Sequence, residues 1–261
     1  MLADPYDAIL FDLDGVVYLG ARSIPGAGEV VASLRAMGKH IVFVTNDSSR
    51  TPDEVAERLR AVGVEARPGD VETSALATAE MLGADGVRSA FVVGEEGIRS
   101  ALIRAGVELR DGDPDTVDVV VIGFDRGADY AKLRRAAILI AAGARFVATN
   151  ADASFPAADG TRWPGAGALL AAVETTSGRH AEVVGKPNPP VLEAALHRAG
   201  GGRPLMVGDR LDTDVAGAAR LGWDSALVLT GISTRAQIAE AAHRPTFVLH
   251  DLHGLLDESA G

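Results

Sequence analysis

Short apolar runs alternate with longer segments whose apolar positions recur at helical spacing along most of this chain. Short apolar runs bounded by turn residues are typical of buried strands, and the longer segments are typical of amphipathic helices. This alternation predicts an α/β fold in which helices cover a parallel sheet. The predicted strands are residues 8–11, 40–44, 90–93, 117–122, 145–148, 182–184, 205–207, 225–229 and 246–249, and the predicted helices are residues 27–37, 52–62, 74–82, 96–105, 130–141, 166–176, 190–199, 214–221 and 235–242.

These strands are many for a single sheet, so the pattern favours two domains. The segments in which acidic residues follow an apolar strand lie near both ends of the chain, whereas residues 83–177 form an αβ run without such motifs. We therefore predict a first domain made of residues 1–82 and 178–261, with residues 83–177 inserted into it as a second α/β domain.

Composition narrows the class of protein. The chain has 261 residues, of which 47% are hydrophobic and 23% are charged, as expected of a globular protein. Its net charge of −11 argues against nucleic-acid binding, which needs clustered lysine and arginine. The chain has no cysteine, which excludes disulfides and thiolate chemistry. Because neither a signal-peptide pattern nor an apolar run of about 18 residues is found, we expect a cytoplasmic protein with no membrane partner.

Two carboxylates follow the first predicted strand, in the segment Asp12-Leu13-Asp14-Gly15. In open α/β sheets, ligands bind beyond the carboxyl ends of the strands, where both acids would lie. One carboxylate could act as a nucleophile and the other as a proton donor, or both could share a divalent cation. The alternative is an ordinary acidic loop, since two acids at this spacing are common.

Small hydrogen-bonding residues follow the second predicted strand, in Thr45-Asn46 and the three polar residues after them. A hydroxyl, a side-chain amide and backbone N–H groups suit the oxygens of a phosphoryl group. The alternative is a capping loop, in which Ser49 or Thr51 caps the helix predicted to begin at residue 52.

Lys186 lies between a glycine and a proline-rich helix start, just after the strand predicted at residues 182–184. The proline that follows restricts the backbone of this lysine. A fixed ammonium group could balance the charge of a phosphate or of an aspartyl-phosphate. The alternative is an ordinary, mobile loop lysine.

A further apolar strand, residues 205–207, ends in a loop with three aspartates, Asp209, Asp212 and Asp214. Mg²⁺ prefers carboxylate oxygens and retains several waters, so one or two of these acids together with Asp12 would suffice. Asp214 also suits a helix N-terminus, where its charge meets the helix dipole. We therefore rank Asp209 ahead of the other two as a direct ligand.

The order of these four segments along the chain points to a protein family more specifically than any single segment does. The chain resembles the haloacid dehalogenase superfamily of phosphohydrolases. Within that superfamily, the segments DLDGVVYLG, VTNDSS, GKPNPP and GDRLDTD are similar to those of the subfamily of 4-nitrophenyl phosphatases and NagD-like phosphatases. This resemblance implies a Rossmann-like parallel-sheet core with an inserted α/β cap domain, and residues 148–152 and 164–167 are similar to cap signatures. The four family motifs are matched by Asp12-Leu13-Asp14-Gly15, Thr45-Asn46, Lys186 and Gly208-Asp209 with Asp214.

The resemblance also implies roles for single residues. Asp12 would be the nucleophile that becomes an aspartyl-phosphate. Asp14 would protonate the leaving alcohol and would then activate water for the second step. Thr45 and Asn46 would hold phosphoryl oxygens, and Lys186 would balance their charge.

A bound Mg²⁺ ion is implied as well. The carboxylate of Asp12, the backbone carbonyl of Asp14 and the carboxylate of Asp209 would bind it, with Asp214 close by. Many relatives carry a neutral residue at the position of Asp47, so this acid is a departure. The further phosphate- or substrate-binding positions are Leu13 in the core and Asn150, Asp152 and Trp163 in the cap, where the alternative for Trp163 is packing of the cap's own core.

We predict a Mg²⁺-dependent phosphatase that hydrolyses small phosphomonoesters. The alternatives are a phosphotransferase such as a phosphomutase, which would use the same motifs, and a non-catalytic module that binds phosphorylated metabolites. A small phosphorylated metabolite is the expected partner, and a homodimer formed through the cap is a further expectation. The substrate stays open among glycerol phosphate, phosphoglycolate, nucleotides, pyridoxal phosphate and sugar phosphates.

Overall fold

The computed structural model describes residues 1–20, 22–156 and 161–258. The chain divides into two compact units. The first unit comprises Met1–Thr45, Pro52–Glu72 and Lys186–Gly261, and the second comprises Asn46–Thr51 and Thr73–Gly185. The second unit therefore extends beyond the predicted insert, residues 83–177, at both ends.

Every predicted strand and helix has an observed counterpart, and the predicted and observed ends agree to within four residues. Within the described ranges, no helix is both long enough and apolar enough to cross a lipid bilayer. The strands are β1 (Ala8–Phe11), β2 (Tyr18–Leu19), β3 (Arg22–Ser23), β4 (His40–Thr45), β5 (Val71–Thr73), β6 (Ser89–Val93), β7 (Glu108–Leu109), β8 (Val119–Ile122), β9 (Arg145–Ala148), β10 (Ser154–Pro156), β11 (Arg162–Pro164), β12 (Glu182–Val183), β13 (Pro204–Gly208), β14 (Asp224–Val228) and β15 (Phe247–Leu249). The helices are α1 (Ala27–Ala36), α2 (Pro52–Ala61), α3 (Ser74–Ala84), α4 (Glu96–Arg104), α5 (Tyr130–Ala141), α6 (Ala166–Ser177), α7 (Pro189–Arg198), α8 (Ala216–Arg220) and α9 (Arg235–Ile238).

The first unit is built on a six-stranded sheet in the order β15-β14-β13-β1-β4-β5. β1 pairs in parallel with β13 on one side and with β4 on the other, so that Phe11 is level with Val207 and with Phe43. All residues of β1 are apolar and buried, as expected of a strand that is covered on both faces. Because β1, β4 and β13 run in the same direction, the residues that follow them emerge at one edge of the sheet.

The second unit contains a five-stranded parallel sheet in the order β12-β9-β8-β6-β7. α5 and α6 pack against each other, and the core of this unit includes Phe91, Val120 and Phe146. β10 and β11 form a separate antiparallel hairpin. The predicted fold class, an α/β protein with a Rossmann-like parallel-sheet core and a further α/β domain, is confirmed.

The strands that were not predicted all have three residues or fewer. β2, β3 and β7 have two residues each, and β5, β10 and β11 have three. Segments of this length cannot show an alternation of apolar and polar positions. The helix predicted at residues 214–221 begins later than expected, because a π-helical turn at Leu211–Val215 precedes α8.

Candidate active site

Lys186 joins two carboxylates in the first unit. Its Nζ donates to Oδ1 of Asp12 at 2.5 Å and to Oδ1 of Asp214 at 2.7 Å, and it lies 3.4 Å from the carbonyl oxygen of Val44. Only 4% of the lysine surface is exposed. Burial opposes the positive charge, but the two aspartates outweigh it and raise the pKa of Lys186 above its usual range. The ammonium group is therefore charged and fixed, which rules out a mobile loop lysine.

Asp209 follows β13 and carries a fully buried carboxylate. Its Oδ2 accepts the backbone N–H of Ile232 at 2.7 Å, whereas its Oδ1 is buried without a hydrogen-bond partner in the described part of the chain. Burial, reinforced by the charge of Asp214, raises the pKa of Asp209 to about 7. Burial also raises the pKa of Asp12 well above its usual value, although Lys186 opposes this shift.

Two glycines make room for the Asp209 carboxylate. A Cβ atom at Gly15 or at Gly231 would overlap with the carboxylate of Asp209. Gly15 also has a φ of 86°, in the left-handed region that other residues rarely adopt. The glycine of the Asp-Leu-Asp-Gly segment is therefore required both by its own backbone and by an acid that is distant in the sequence.

Asp12, Asp209 and Asp214 form an acidic cluster in which one carboxylate oxygen of each lies within 4.8 Å of the others. Hard divalent cations prefer carboxylate oxygens as ligands. The buried Oδ1 of Asp209 is an acceptor that a cation would satisfy, and burying such an atom unsatisfied is costly. Lys186 supplies a single positive charge to the three acids. The donor type, the spacing and the unpartnered oxygen therefore all fit a divalent metal.

Asp14 lies in a different environment, with an exposed side chain. The turn after it is closed by backbone hydrogen bonds from Tyr18 N–H to the Leu13 carbonyl at 3.2 Å and from Gly15 N–H to the Tyr18 carbonyl at 2.8 Å. The N–H of Gly20 lies 3.5 Å from Oδ1 of Asp14. A carboxylate that is open to solvent can exchange protons with water, whereas the buried carboxylate of Asp12 is held in one place by the ammonium group of Lys186. The two acids of this motif are therefore suited to different chemical tasks.

The boundary between the two units falls inside the predicted phosphate-binding segment. Thr45 ends β4 in the first unit and is buried, whereas Asn46 belongs to the second unit. There, Nδ2 of Asn46 donates to Oδ2 of Asp152 at 3.0 Å, and Nδ2 of Asn150 donates to the carbonyl oxygen of Asn46 at 2.7 Å. The structure thus brings together three predicted binding residues, Asn46, Asn150 and Asp152, within the second unit.

Two further aspartates of the motif loops are balanced by nearby arginines. Oδ1 of Asp47 accepts the backbone N–H and the hydroxyl of Ser49 at 2.9 and 2.6 Å, and Oδ2 accepts Arg50 at 2.7 Å. Asp212 is paired with Arg210 at 2.7 Å, and 70% of its side chain is exposed. Asp47 therefore stabilises its own turn, and Asp212 lies outside the acidic cluster.

Trp163 lies in β11 and is 49% exposed. It packs edge-on against Phe155, its partner in β10, with ring centroids 6.2 Å apart, and its Nε1 donates to Thr161 Oγ1 at 2.9 Å. Phe155 in turn contacts Phe124 with a centroid separation of 5.1 Å. Trp163 is not among the residues of the core of the second unit, which argues against the core-packing alternative.

The loop after β14 also belongs to the site, and this was not predicted. The hydroxyl of Thr230 donates to the carbonyl oxygen of Gly15 at 2.6 Å, and Ser233 N–H donates to the backbone carbonyl of Asp209 at 3.0 Å. β14 pairs directly with β13, so its carboxyl end comes to lie beside Asp209. The available signal was a Thr-Gly pair after an apolar strand, the same pattern that marks the other polar segments.

Comparison with known proteins identifies the family. A model of the haloacid dehalogenase-like hydrolases matches residues 9–108, and a second, HAD-hydrolase-like model matches residues 183–255. An acid sugar phosphatase from Staphylococcus haemolyticus is 36% identical over 267 residues, which cover 97% of this chain and 96% of that protein. The chain belongs to the haloacid dehalogenase-like hydrolases.

The chain is also similar to solved structures of phosphatases over nearly its whole length. A glycerol phosphate phosphatase from Mycobacterium tuberculosis, in complex with magnesium, is 36% identical with a TM-score of 0.92, over 97% of this chain and 77% of that chain. A p-nitrophenyl phosphatase from Archaeoglobus fulgidus is 33% identical with a TM-score of 0.87, over 95% of this chain and 97% of that chain. The predicted resemblance is thus confirmed, and the protein is a hydrolase of phosphoric monoesters.

Proposed function

We propose that this phosphatase is Mg²⁺-dependent and forms an aspartyl-phosphate at Asp12. The observation that carries the proposal is the position of Lys186, which fixes Asp12 and Asp214 in the acidic cluster with Asp209. Oδ1 of Asp209 is buried there without a hydrogen-bond partner among the described residues. A carboxylate held in one place by an ammonium group is oriented for attack on phosphorus.

Asp12, Asp209 and the backbone carbonyl of Asp14 would hold the Mg²⁺ ion. Both oxygens of Asp214 already accept hydrogen bonds, one from Lys186 at 2.7 Å and one from the backbone N–H of Arg210 at 3.1 Å. This supports a positioning role for Asp214 rather than direct ligation. The bound ion would supply positive charge that stabilises the phosphoryl oxygens during transfer.

In the first step, a carboxylate oxygen of Asp12 attacks phosphorus, and the bond between phosphorus and the alcohol oxygen breaks. Asp14 donates its proton to that oxygen, while Thr45 and Asn46 hold the phosphoryl group and Lys186 balances its charge. In the second step, water attacks phosphorus and gives its proton to Asp14, and the bond to Asp12 breaks. Inorganic phosphate leaves, and both aspartates return to their starting states.

A small polyol or sugar phosphate is the proposed substrate. The names of the acid sugar phosphatase and the glycerol phosphate phosphatase among the relatives support this class. Asn150 and Asp152 offer amide and carboxylate groups that suit the hydroxyls of such a leaving alcohol. Trp163 offers a half-exposed ring beside them in the sequence, which would contact the apolar face of the leaving group.

A phosphate-release screen tests both parts of the proposal. We expect release from 4-nitrophenyl phosphate that depends on Mg²⁺ and is abolished by EDTA. The highest kcat/KM should fall on polyol or sugar phosphates rather than on nucleotides, phosphoglycolate or pyridoxal phosphate. Release that persists after exhaustive chelation would contradict the metal dependence. A preference for nucleotides would contradict only the substrate class, and transfer to a second sugar hydroxyl instead of water would favour the phosphomutase.

A further inference from the structure

Arg58 of α2 contacts the β2–β3 hairpin at two points. Its Nη2 donates to the carbonyl oxygen of Gly20 at 2.6 Å, and its guanidinium carbon lies 4.1 Å from the centroid of the Tyr18 ring. Gly20 is 38 positions away from Arg58 in the chain, and both belong to the first unit. A single side chain thus ties the hairpin to a helix.

The hairpin needs such support because its strands are very short. β2 and β3 have two residues each, and a two-stranded hairpin is marginal in water even when it is longer. Tyr18 is nevertheless almost fully buried, with 4% of its surface exposed, and the Arg58 guanidinium lies over its ring. A planar guanidinium can stack on an aromatic ring and donate a hydrogen bond in its own plane at the same time.

The two residues that Arg58 contacts also lie against Asp14, Tyr18 along its backbone and Gly20 at its side chain. Tyr18 forms an isolated β-bridge with Asp14, and the N–H of Gly20 lies 3.5 Å from Oδ1 of Asp14. The carbonyl of Tyr18 accepts the N–H of Gly15 at 2.8 Å, so the hairpin is also bonded to the residue after Asp14. A shift of the hairpin would therefore move the backbone on which the Asp14 carboxylate depends.

We propose that Arg58 is a positioning residue for Asp14 and acts through the β2–β3 hairpin. The inference rests on the proposed function, in which Asp14 donates a proton to the leaving oxygen. Arg58 itself touches neither the phosphoryl group nor the leaving group in this account. Its loss should therefore impair proton donation more than binding or attack by Asp12.

The test compares phenyl phosphate with 4-nitrophenyl phosphate in the Arg58→Met enzyme. The two esters are close in shape, but phenolate is the poorer leaving group and needs more help from an acid. Because kcat/KM reports the first transfer step, its ratio between the two esters measures proton donation. We expect Arg58→Met to lower the ratio for phenyl over 4-nitrophenyl phosphate by about tenfold, since small displacements of a catalytic group are costly. The ratio does not depend on how much of the preparation is folded.

Two variants serve as controls. Arg60 lies on the same helix, and its Nη1 donates to the carbonyl oxygen of Ala66 at 2.7 Å, so Arg60→Met removes a comparable arginine–carbonyl bond. We expect this variant to leave the ratio unchanged. Arg58→Lys keeps the positive charge but lacks the planar fork, and it should give an intermediate ratio.

Two results would overturn the inference. One is a loss of kcat/KM by the same factor for both esters in Arg58→Met, which would mean that Arg58 only stabilises the fold. The other is an equal fall of the ratio in Arg60→Met. The proposed function is tested separately by Asp12→Asn. An inactive Asp12→Asn enzyme with an unchanged ratio in Arg58→Met would overturn the inference alone, and an active Asp12→Asn enzyme would overturn the proposed function.

Discussion

The ammonium group of Lys186 lies 2.5 Å from Oδ1 of Asp12, although the two residues are 174 positions apart in the chain. Asp12 leaves the sheet at the end of β1, next to the end of β4, whose Val44 carbonyl also lies near the ammonium group. Each charge would be poorly solvated at this depth without the other. The pair is therefore part of the folded core of the first unit as well as part of its chemistry.

Lys186→Gln should both inactivate and destabilise the protein. The change leaves Asp12 and Asp214 buried without their counter-charge, and removing one partner of a buried ion pair costs about 3–5 kcal/mol. Urea unfolding and phosphate release measure the two effects. Lys39→Gln is a matched control, because Nζ of Lys39 donates to the backbone carbonyls of Asp4 and Tyr6. The Lys39→Gln control should lower the free energy of unfolding by about 1 kcal/mol and should keep its activity. Equal effects of the two variants would contradict the central position of Lys186.

Mg²⁺ affinity should fall as the pH falls. Below pH 7 the Asp209 carboxyl, whose pKa is raised to about 7, holds a proton that a cation must displace. Above pH 8 that proton is already gone, so the affinity should level off there. Calorimetry should show a weakening that approaches about tenfold per pH unit on the acid side. Asp209→Asn keeps the shape but not the charge, and it should bind Mg²⁺ weakly at every pH. An affinity for the wild type that is constant from pH 5 to pH 8 would contradict this site.

Asp14→Asn should accumulate the covalent intermediate when 4-nitrophenyl phosphate is the substrate. The 4-nitrophenolate group leaves with little help from an acid, whereas the water of the second step still needs a base. Stopped-flow absorbance should show a burst of 4-nitrophenolate close to the enzyme concentration, followed by slow turnover. Acid-quenched samples should carry a phosphoryl group on the peptide that contains Asp12. Slow turnover with neither a burst nor a labelled peptide would contradict the role of Asp14 in the second step.

Trp163→Ala should change substrate preference with little loss of stability. The side chain is half exposed and lies outside the core of the second unit, so its removal should cost less than about 1 kcal/mol. We expect kcat/KM for sugar phosphates relative to 4-nitrophenyl phosphate to fall by about tenfold. Tyr130→Ala is the control, since Tyr130 is 83% exposed in the same unit and should affect neither quantity. A uniform loss of activity that follows a loss of stability would refute the specificity role.

The acids of the site could be predicted because they follow strands. Asp12 comes directly after the apolar run at residues 8–11, which fits a buried strand. A single glycine separates Asp209 from a second such run at residues 205–207. The carboxyl ends of neighbouring parallel strands lie at the same edge of the sheet. The strand pattern alone therefore predicts that Asp12 and Asp209 lie close together. The burial of Lys186 was not predictable in this way, since a lysine before a proline is equally consistent with a buried position and with an exposed loop.

Arg58 shows where the sequence pattern stops being informative. In the sequence it is one charged residue of an amphipathic helix, and only the folded chain brings it to Gly20 and Tyr18. The domain boundary is a similar case, because Asn46 follows a core strand but is hydrogen-bonded to Asn150 and Asp152 in the second unit. These contacts depend on tertiary structure and leave no local signal. The cytoplasmic location and the homodimer through the cap stay predictions.

Turnover by Asp12→Asn is the measurement that tests the account most directly. An amide cannot attack phosphorus as a carboxylate does, so the variant should keep its fold and lose at least about a thousandfold in kcat with 4-nitrophenyl phosphate. Mass spectrometry must first exclude deamidation of the new asparagine back to aspartate. A kcat within about tenfold of the wild type, in a preparation free of restored Asp12, would contradict nucleophilic catalysis by this residue.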